Sequence, residues 1–296
     1  MMPGWLRPLL LKFTDRLRLR SLHHALLLSG IAGTGKRVLA TALAKTILCK
    51  QVSDEGSCGQ CQSCLLFEAG NHPDYHQLVS EKQLGVDAVR GGIQKLAGTA
   101  QLGNNKVLVI PDADTMTEAA SNALLKTLEE PTVNTYLLLL TSRKTALLPT
   151  ILSRCEKHDI PLPAEQTVID WLAAQGMTDV TPATIKAYGY APYTVLDSLQ
   201  EGAEGLSFTG YQQGIADLMG NKESPRSLAV RWQEHAVQVV KWLQSDAHEK
   251  YIRTLHSDDY LASLKCQQAS VQLQHPGVNK AVILTGVLSV FSVNPL

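Results

Sequence analysis

An α/β fold, with a parallel sheet covered on both faces and helical domains behind it, is what this sequence predicts. Three observations lead there. Short, fully apolar runs alternate with amphipathic helical patterns, a glycine-rich loop separates the first run from its helix, and no strand-like run survives beyond Pro161-Leu162-Pro163. The 296 residues exceed what one hydrophobic core usually organises. The predicted division is a nucleotide-fold domain over residues 1–161, a small helical domain over 162–205 and a last helical domain over 206–296, with the glycine-rich interruption Glu201-Gly202-Ala203-Glu204-Gly205 between the latter two.

Taken in order, Ala25-Leu26-Leu27-Leu28 reads as a buried strand. It runs into Gly30-Ile31-Ala32-Gly33-Thr34-Gly35-Lys36, and Val38, Leu39, Ala42, Leu43 and Ile47 then mark one face of a helix. Val86, Val89, Ile93 and Leu96 predict a second helix, and Val107-Leu108-Val109-Ile110 a second strand entering Pro111-Asp112. Thr115 and Glu118 have capping-box spacing ahead of a helix with Leu124, Leu125 and Leu128 on its apolar stripe, stopped by Pro131. Tyr136 to Leu140 is a further apolar strand. In the last domain Trp232, Ala236, Val239, Val240 and Leu243 predict a core-facing stripe.

Composition narrows the classes of function. Lys and Arg together number 27, as do Asp and Glu, so no overall charge drives the chain onto nucleic acid or an anionic membrane. With aromatic residues at 5% and no basic stripe between them, a stand-alone DNA-binding module is disfavoured. The stretch from Ala281 to Val293 is too short and too polar to span a bilayer. Leu9-Leu10-Leu11 is followed at once by Lys12, Asp15 and Arg16, with no apolar h-region or cleavage site, so a cytoplasmic protein in a reducing compartment is expected.

The glycine loop has the strand-loop-helix context of a P-loop, in which backbone N–H groups and a lysine surround phosphate oxygens. Gly30, Gly33, Gly35 and Lys36 supply that part. The magnesium ligands are missing. Arg37 stands where a Ser or Thr hydroxyl should follow the lysine, and Pro111 stands where the acidic metal ligand should end the second strand. Asp112 takes the place of the acid that orients water. The expectation is therefore no significant ATP hydrolysis, with nucleotide or anion binding through Lys36 left open.

Cys49, Cys58, Cys61 and Cys64 form the strongest local signal. Thiolates spaced by two residues converge on one tetrahedral Zn²⁺, and Gly56, Ser57 and Gly59 permit the turns. Four protein ligands leave no coordination position for water, so one structural zinc ion in an inserted module at about 49–64 is expected. His23, His24, His72 and His76 are then structural or solvated, and Cys155 and Cys266 are isolated buried thiols.

With these features in place, the sequence resembles the delta-prime subunits of bacterial DNA polymerase III clamp loaders, a branch of the AAA+ superfamily. The likeness rests on His23-His24-Ala25-Leu26-Leu27, the cysteine array, His72-Pro73-Asp74-Tyr75, Gly85-Val86-Asp87-Ala88-Val89-Arg90, the block from Ala120 to Pro131 containing Asn122-Ala123-Leu124-Leu125-Lys126-Thr127-Leu128-Glu129-Glu130-Pro131, and Ser153-Arg154-Cys155. His275-Pro276-Gly277-Val278-Asn279-Lys280 resembles the family's C-terminal end.

The resemblance implies a subunit of a five-membered ring, with subunits of gamma/tau and delta type, that opens the sliding clamp and places it on primer-template DNA. It implies a lid for the second domain and a helical collar for the third. It also implies that Arg154 is an arginine finger, reaching the γ-phosphate of ATP held by a neighbour. A permanently charged planar guanidinium suits that role. Gly189 to Leu196 contains no sensor arginine, in keeping with an inert site of its own. The alternative expectation is an active gamma/tau-like ATPase, favoured by the retained Lys36 and Asp112.

Overall fold

The computed structural model describes residues 2–80, 82–102, 105–178, 180–200, 206–275 and 277–293. The glycine-rich interruption at 201–205 and Pro276 lie outside the described residues. The chain divides into two compact units, Met1–Trp171 with Ala191–Thr194, and Leu172–Tyr190 with Val195–Leu296.

The first unit is built on β1 (Ala25–Ser29), β2 (Tyr75–Gln77), β3 (Lys106–Ile110), β4 (Thr135–Thr141) and β5 (Glu156–Asp159). Its helices are α1 (Arg7–Arg18), α2 (Lys36–Leu48), α3 (Gln62–Glu68), α4 (Val86–Ala97), α5 (Glu118–Glu129) and α6 (Pro149–Leu152), with α7 (Glu165–Ala174) beginning in it. The strands form one sheet in the order β2-β3-β4-β1-β5, and every pairing is parallel.

The apolar runs are explained by burial on both faces. Leu26 and Leu28 join Phe13, Leu39, Leu43 and Ile47 under α1 and α2. Ala25 and Leu27 point the other way, into a core with Val89, Leu124 and Leu128 from α4 and α5. Successive strand residues alternate faces, so the middle of a strand with helices on both sides is apolar throughout, and buried polar residues such as Ser29, Lys106 and Thr141 stand at strand ends.

Two strands were not legible as such. β2 and β5 carry Tyr-His-Gln and Glu-Lys-His-Asp, and both lie at sheet edges, where charge is tolerated and discourages further strand pairing. The expected capping box is also corrected. Thr117, not Thr115, caps α5, its Oγ1 accepting the Ala120 N–H at 3.1 Å, while Thr115 closes a 3-10 turn and donates to the Asp112 carbonyl at 2.7 Å.

The second unit is helical throughout its described residues, with α8 (Pro182–Ala187), α9 (Pro192–Gln200, whose first turn belongs to the first unit), α10 (Phe208–Met219), α11 (Pro225–Trp232), α12 (Ala236–Thr254), α13 (Ser257–Gln272) and α14 (Lys280–Val293). The stripe Trp232, Ala236, Val239, Val240 and Leu243 is buried as expected, although Trp232 ends α11 and the rest lie on α12. The low-charge stretch becomes α14, burying Leu284, Val287, Leu288 and Phe291 in the same core. No helix among the described residues is long and apolar enough to cross a membrane.

Edge strand β5 carries a titratable core residue. His158 is buried, packs edge-on against Phe13 at 4.7 Å and donates from Nε2 to Glu156 Oε1 at 2.8 Å. Burial holds its pKa below the ordinary imidazole value, against the opposing pull of Glu156. Burial likewise lowers His72. Both rings therefore hold a proton less readily in the folded chain, and the unfolded chain takes up protons first as the pH falls below about 6.5. Stability should be complete above that pH and decline on acidification. A thermal-unfolding series from pH 7.5 to 5.5 should show a falling midpoint, and His158→Gln should flatten the slope.

Candidate functional site

β1 ends at Ser29, and the glycine loop turns from it into α2. Gly33 and Gly35 adopt φ of 78° and 94°, a left-handed conformation that glycine reaches without strain. The space beside them is filled by the chain itself. A Cβ on Gly33 would lie 2.0 Å from Thr194 Oγ1 and 2.9 Å from the Thr194 nitrogen. One on Gly35 would lie 2.7 Å from Leu6 Cδ1 and 3.0 Å from Tyr193 Cε2. The Tyr193 N–H donates to the Gly33 carbonyl at 2.9 Å, and Trp5 Nε1 donates to the Thr34 carbonyl at 3.0 Å. Trp171 packs against both aromatic rings, 5.4 Å from Trp5 and 4.9 Å from Tyr193.

Lys36 is buried, and its Nζ donates to the carbonyls of Gly30 at 2.6 Å and Ile31 at 2.8 Å. Burial lowers its pKa, with Asp114 and Asp112 opposing. Arg37, in the position of the missing hydroxyl, pairs with Asp112 at 2.6 Å. Asp114 accepts from Thr141 Oγ1 and Arg143 Nε, each at 3.0 Å. Its pKa stays low because those hydrogen bonds outweigh the opposing effect of burial. Each carboxylate facing the loop is thus engaged by a guanidinium. The sequence accounts for Arg37 beside Asp112, but nothing in it points to Trp5, Tyr193 or Thr194 as the residues that fill the loop.

The four cysteines converge as expected. Their sulfurs all lie within 4.8 Å of one another, with Sγ–Sγ separations of 3.6 Å for Cys49 and Cys58, 3.9 Å for Cys49 and Cys61, and 4.0 Å for Cys58 and Cys64. Four thiolates around a zinc ion at the usual bond length stand about 3.8 Å apart, so this donor set fits a tetrahedral site. The backbone N–H groups of Gln51 and Cys58 point at Cys49 Sγ, both at 3.3 Å. Burial raises the Cys61 thiol, but the N–H groups of Cys64 and Lys50 outweigh it and bring the pKa down to about 6.

His72 anchors this module without being a ligand. Its Nδ1 accepts the Asp74 N–H at 3.1 Å, which leaves Nε2 to donate to Ser63 Oγ at 2.8 Å; Ser63 in turn donates to the Leu48 carbonyl at 2.6 Å. Both ends of the cysteine array are thereby tied to the start of β2. His23 and His24 also have structural partners, the first at the backbone of Ala25 and the second at the Leu128 carbonyl.

Arg154 lies just past α6, one-third exposed. Its Nε donates to Glu129 Oε1 at 2.7 Å, Nη2 also reaches Glu129, and Nη1 donates to the Thr150 carbonyl at 3.1 Å and Ser153 Oγ at 3.2 Å. None of these contacts is with the glycine loop. Glu129 belongs to the Leu-Glu-Glu-Pro block and could have been read as a partner only from the three-dimensional fold. Cys155 beside it is buried, its thiol pushed up to about 11.

A family model described as DNA polymerase III, delta subunit matches residues 7–163, a span that holds the glycine loop, the cysteine cluster and Arg154. The chain belongs to this family. Among its curated relatives, DNA polymerase III subunit delta′ of Escherichia coli K12 is 44% identical over 174 residues, covering 58% of this chain and 52% of that protein. The subunit delta′ of Bacillus subtilis 168 is 36% identical over 165 residues, covering 54% and 48%. The matches span about half the length of these relatives. A crystal structure of a DNA polymerase III gamma subunit-related protein from Thermotoga maritima has the same fold, with a TM-score of 0.54 at 18% identity over 96% of this chain and 98% of that one.

The close packing at the loop has a measurable consequence. Gly33→Ala brings a Cβ against Thr194 on a left-handed backbone, and it should lower the unfolding free energy by about 1–3 kcal/mol in denaturant titration. Gly59→Ala has the same kind of φ, 74°, but nothing within 4 Å of the new Cβ, and it should cost less.

Proposed function

We propose that this chain is a non-hydrolysing, delta-prime-like subunit of a clamp-loader ring of the AAA+ class, working in the cytoplasm with gamma/tau and delta subunits to open the sliding clamp and load it onto primer-template DNA. Its contribution to chemistry is made in trans, with Arg154 as the arginine finger at a neighbour's ATP. The observation that carries the reading is the filled phosphate loop. Lys36 is turned onto loop carbonyls, and Tyr193 and Thr194 lie against the glycines where phosphate oxygens would have to approach. Arg37 paired with Asp112 further places a cation where a magnesium ion would need an oxygen ligand.

In this reading residues 1–161 form the nucleotide-fold domain, 162–205 the lid and 206–296 the collar that holds the ring together. Cys49, Cys58, Cys61 and Cys64 hold one structural Zn²⁺, supported by the tetrahedral fit of the sulfurs. Zinc supplies folding energy to the module and no open coordination position for catalysis.

The first test is ATP turnover. The purified chain with ATP and Mg²⁺ should show none, while the chain added to the gamma/tau and delta subunits, clamp and primed DNA should stimulate turnover. Arg154→Ala should assemble normally and lower the stimulated rate about tenfold or more. Turnover by the chain alone, abolished in Lys36→Ala, would establish instead a gamma/tau-like ATPase. Metal analysis should find about one Zn²⁺ per chain, and Cys64→Ser should reduce that content; a folded, metal-free preparation would refute the zinc assignment.

A further inference from the structure

We propose that Glu129 is the positioning residue for Arg154, fixing the guanidinium in the orientation it presents to a neighbour's phosphate; the proposal rests on the reading of Arg154 as a finger supplied in trans. An arginine on a surface turn has several rotatable bonds and considerable rotamer entropy, so reaching one geometry across a subunit boundary is costly unless the side chain is held beforehand. Here it is held along one edge. Glu129 Oε1 accepts from Nε at 2.7 Å and forms an ion pair with Nη2, so one carboxylate oxygen holds that edge of the guanidinium. Nη1 is fixed separately by the Thr150 carbonyl at 3.1 Å and Ser153 Oγ at 3.2 Å. Nη2 has no partner other than Glu129 among the described residues, and it is the donor left for an incoming oxyanion.

The side-chain exposures, 33% for Arg154 and 49% for Glu129, argue against a mainly structural purpose. Ion pairs this exposed contribute little to the stability of a fold. The carboxylate also comes from the far end of α5, 25 residues earlier in the chain, so α5 and the turn after α6 are connected through this pair at the point where the finger emerges. A reacting group misplaced by about 1 Å can lose up to about a hundredfold in rate, and an interaction made only in the transition state lowers kcat with KM nearly unchanged when it is lost.

The test uses the reconstituted clamp-loader complex with clamp and primed DNA, measuring kcat and KM for ATP with this subunit as wild type, Glu129→Ala, Glu129→Gln, Arg154→Ala and the Glu129→Ala/Arg154→Ala double variant. Glu129→Ala should lower kcat about three- to tenfold with KM nearly unchanged. Glu129→Gln, which keeps an acceptor for Nε, should recover most of that loss. In the Arg154→Ala background, Glu129→Ala should have no further effect, because a residue acting only through the arginine is silent without it. If Arg154→Ala lowers kcat but Glu129→Ala matches the wild type or exceeds it, the positioning role is wrong while the finger stands. If Arg154→Ala itself leaves kcat unchanged, the finger fails. Equal losses from Glu129→Ala in both backgrounds would assign Glu129 a role independent of Arg154 and overturn the proposal.

Discussion

Burial of β1 on both faces is the constraint on which the first unit depends. Flanked by β4 and β5 and covered by α1 and α2 on one side and α4 and α5 on the other, Ala25 to Leu28 have no solvent-facing position. Each buried leucine contributes about 1.5–3 kcal/mol of transfer free energy, and a cavity there would cost more. The strand is consequently rigid, and its C-terminal end delivers the glycine loop at a fixed place. β4 pairs in register with β1, and β3 with β4, so that Asp112 and Thr141 come to the same C-terminal end of the sheet. A site assembled from strand ends in this way inherits the precision of the core.

What the sheet delivers there is a glycine loop whose polar groups and surface are satisfied from within. A working P-loop keeps its N–H groups, lysine and oxygen ligands available to nucleotide and metal. In this chain the lysine is satisfied by carbonyls, Asp112 and Asp114 by arginines, and the glycine surface by Tyr193 and Thr194. The Arg37 to Asp112 pair is exposed and adds little to stability. Positive charge is meanwhile kept at Arg154, at a separate point on the unit, where a carboxylate and a carbonyl hold it near the surface.

The parts of this arrangement that were readable in advance are those encoded by neighbours in sequence. The three apolar strands were visible because double-sided burial demands uninterrupted apolar runs, and the loop because glycine is needed for its left-handed turns. The cysteine array was visible because four thiols at short spacing can converge on one point. The edge strands were not, since β2 and β5 carry polar side chains that an edge tolerates and a pattern search reads as loop. Thr115 and Thr117 both precede α5, and the side-chain geometry chose Thr117 as its cap.

By itself, then, the sequence determined the parallel-sheet class, the glycine loop with Arg37 after its lysine and Pro111 after the second strand, and the four converging thiols, because residue type and local spacing carry that chemistry, while Arg154 was singled out only by the family resemblance. Only the tertiary structure decided that Tyr193 and Thr194 occupy the loop, that His72 secures the cysteine module through Ser63, and that Glu129 grips Arg154. Each of those joins residues from separate elements. Such contacts are made by packing whole helices and strands together, and no local pattern of residues specifies them.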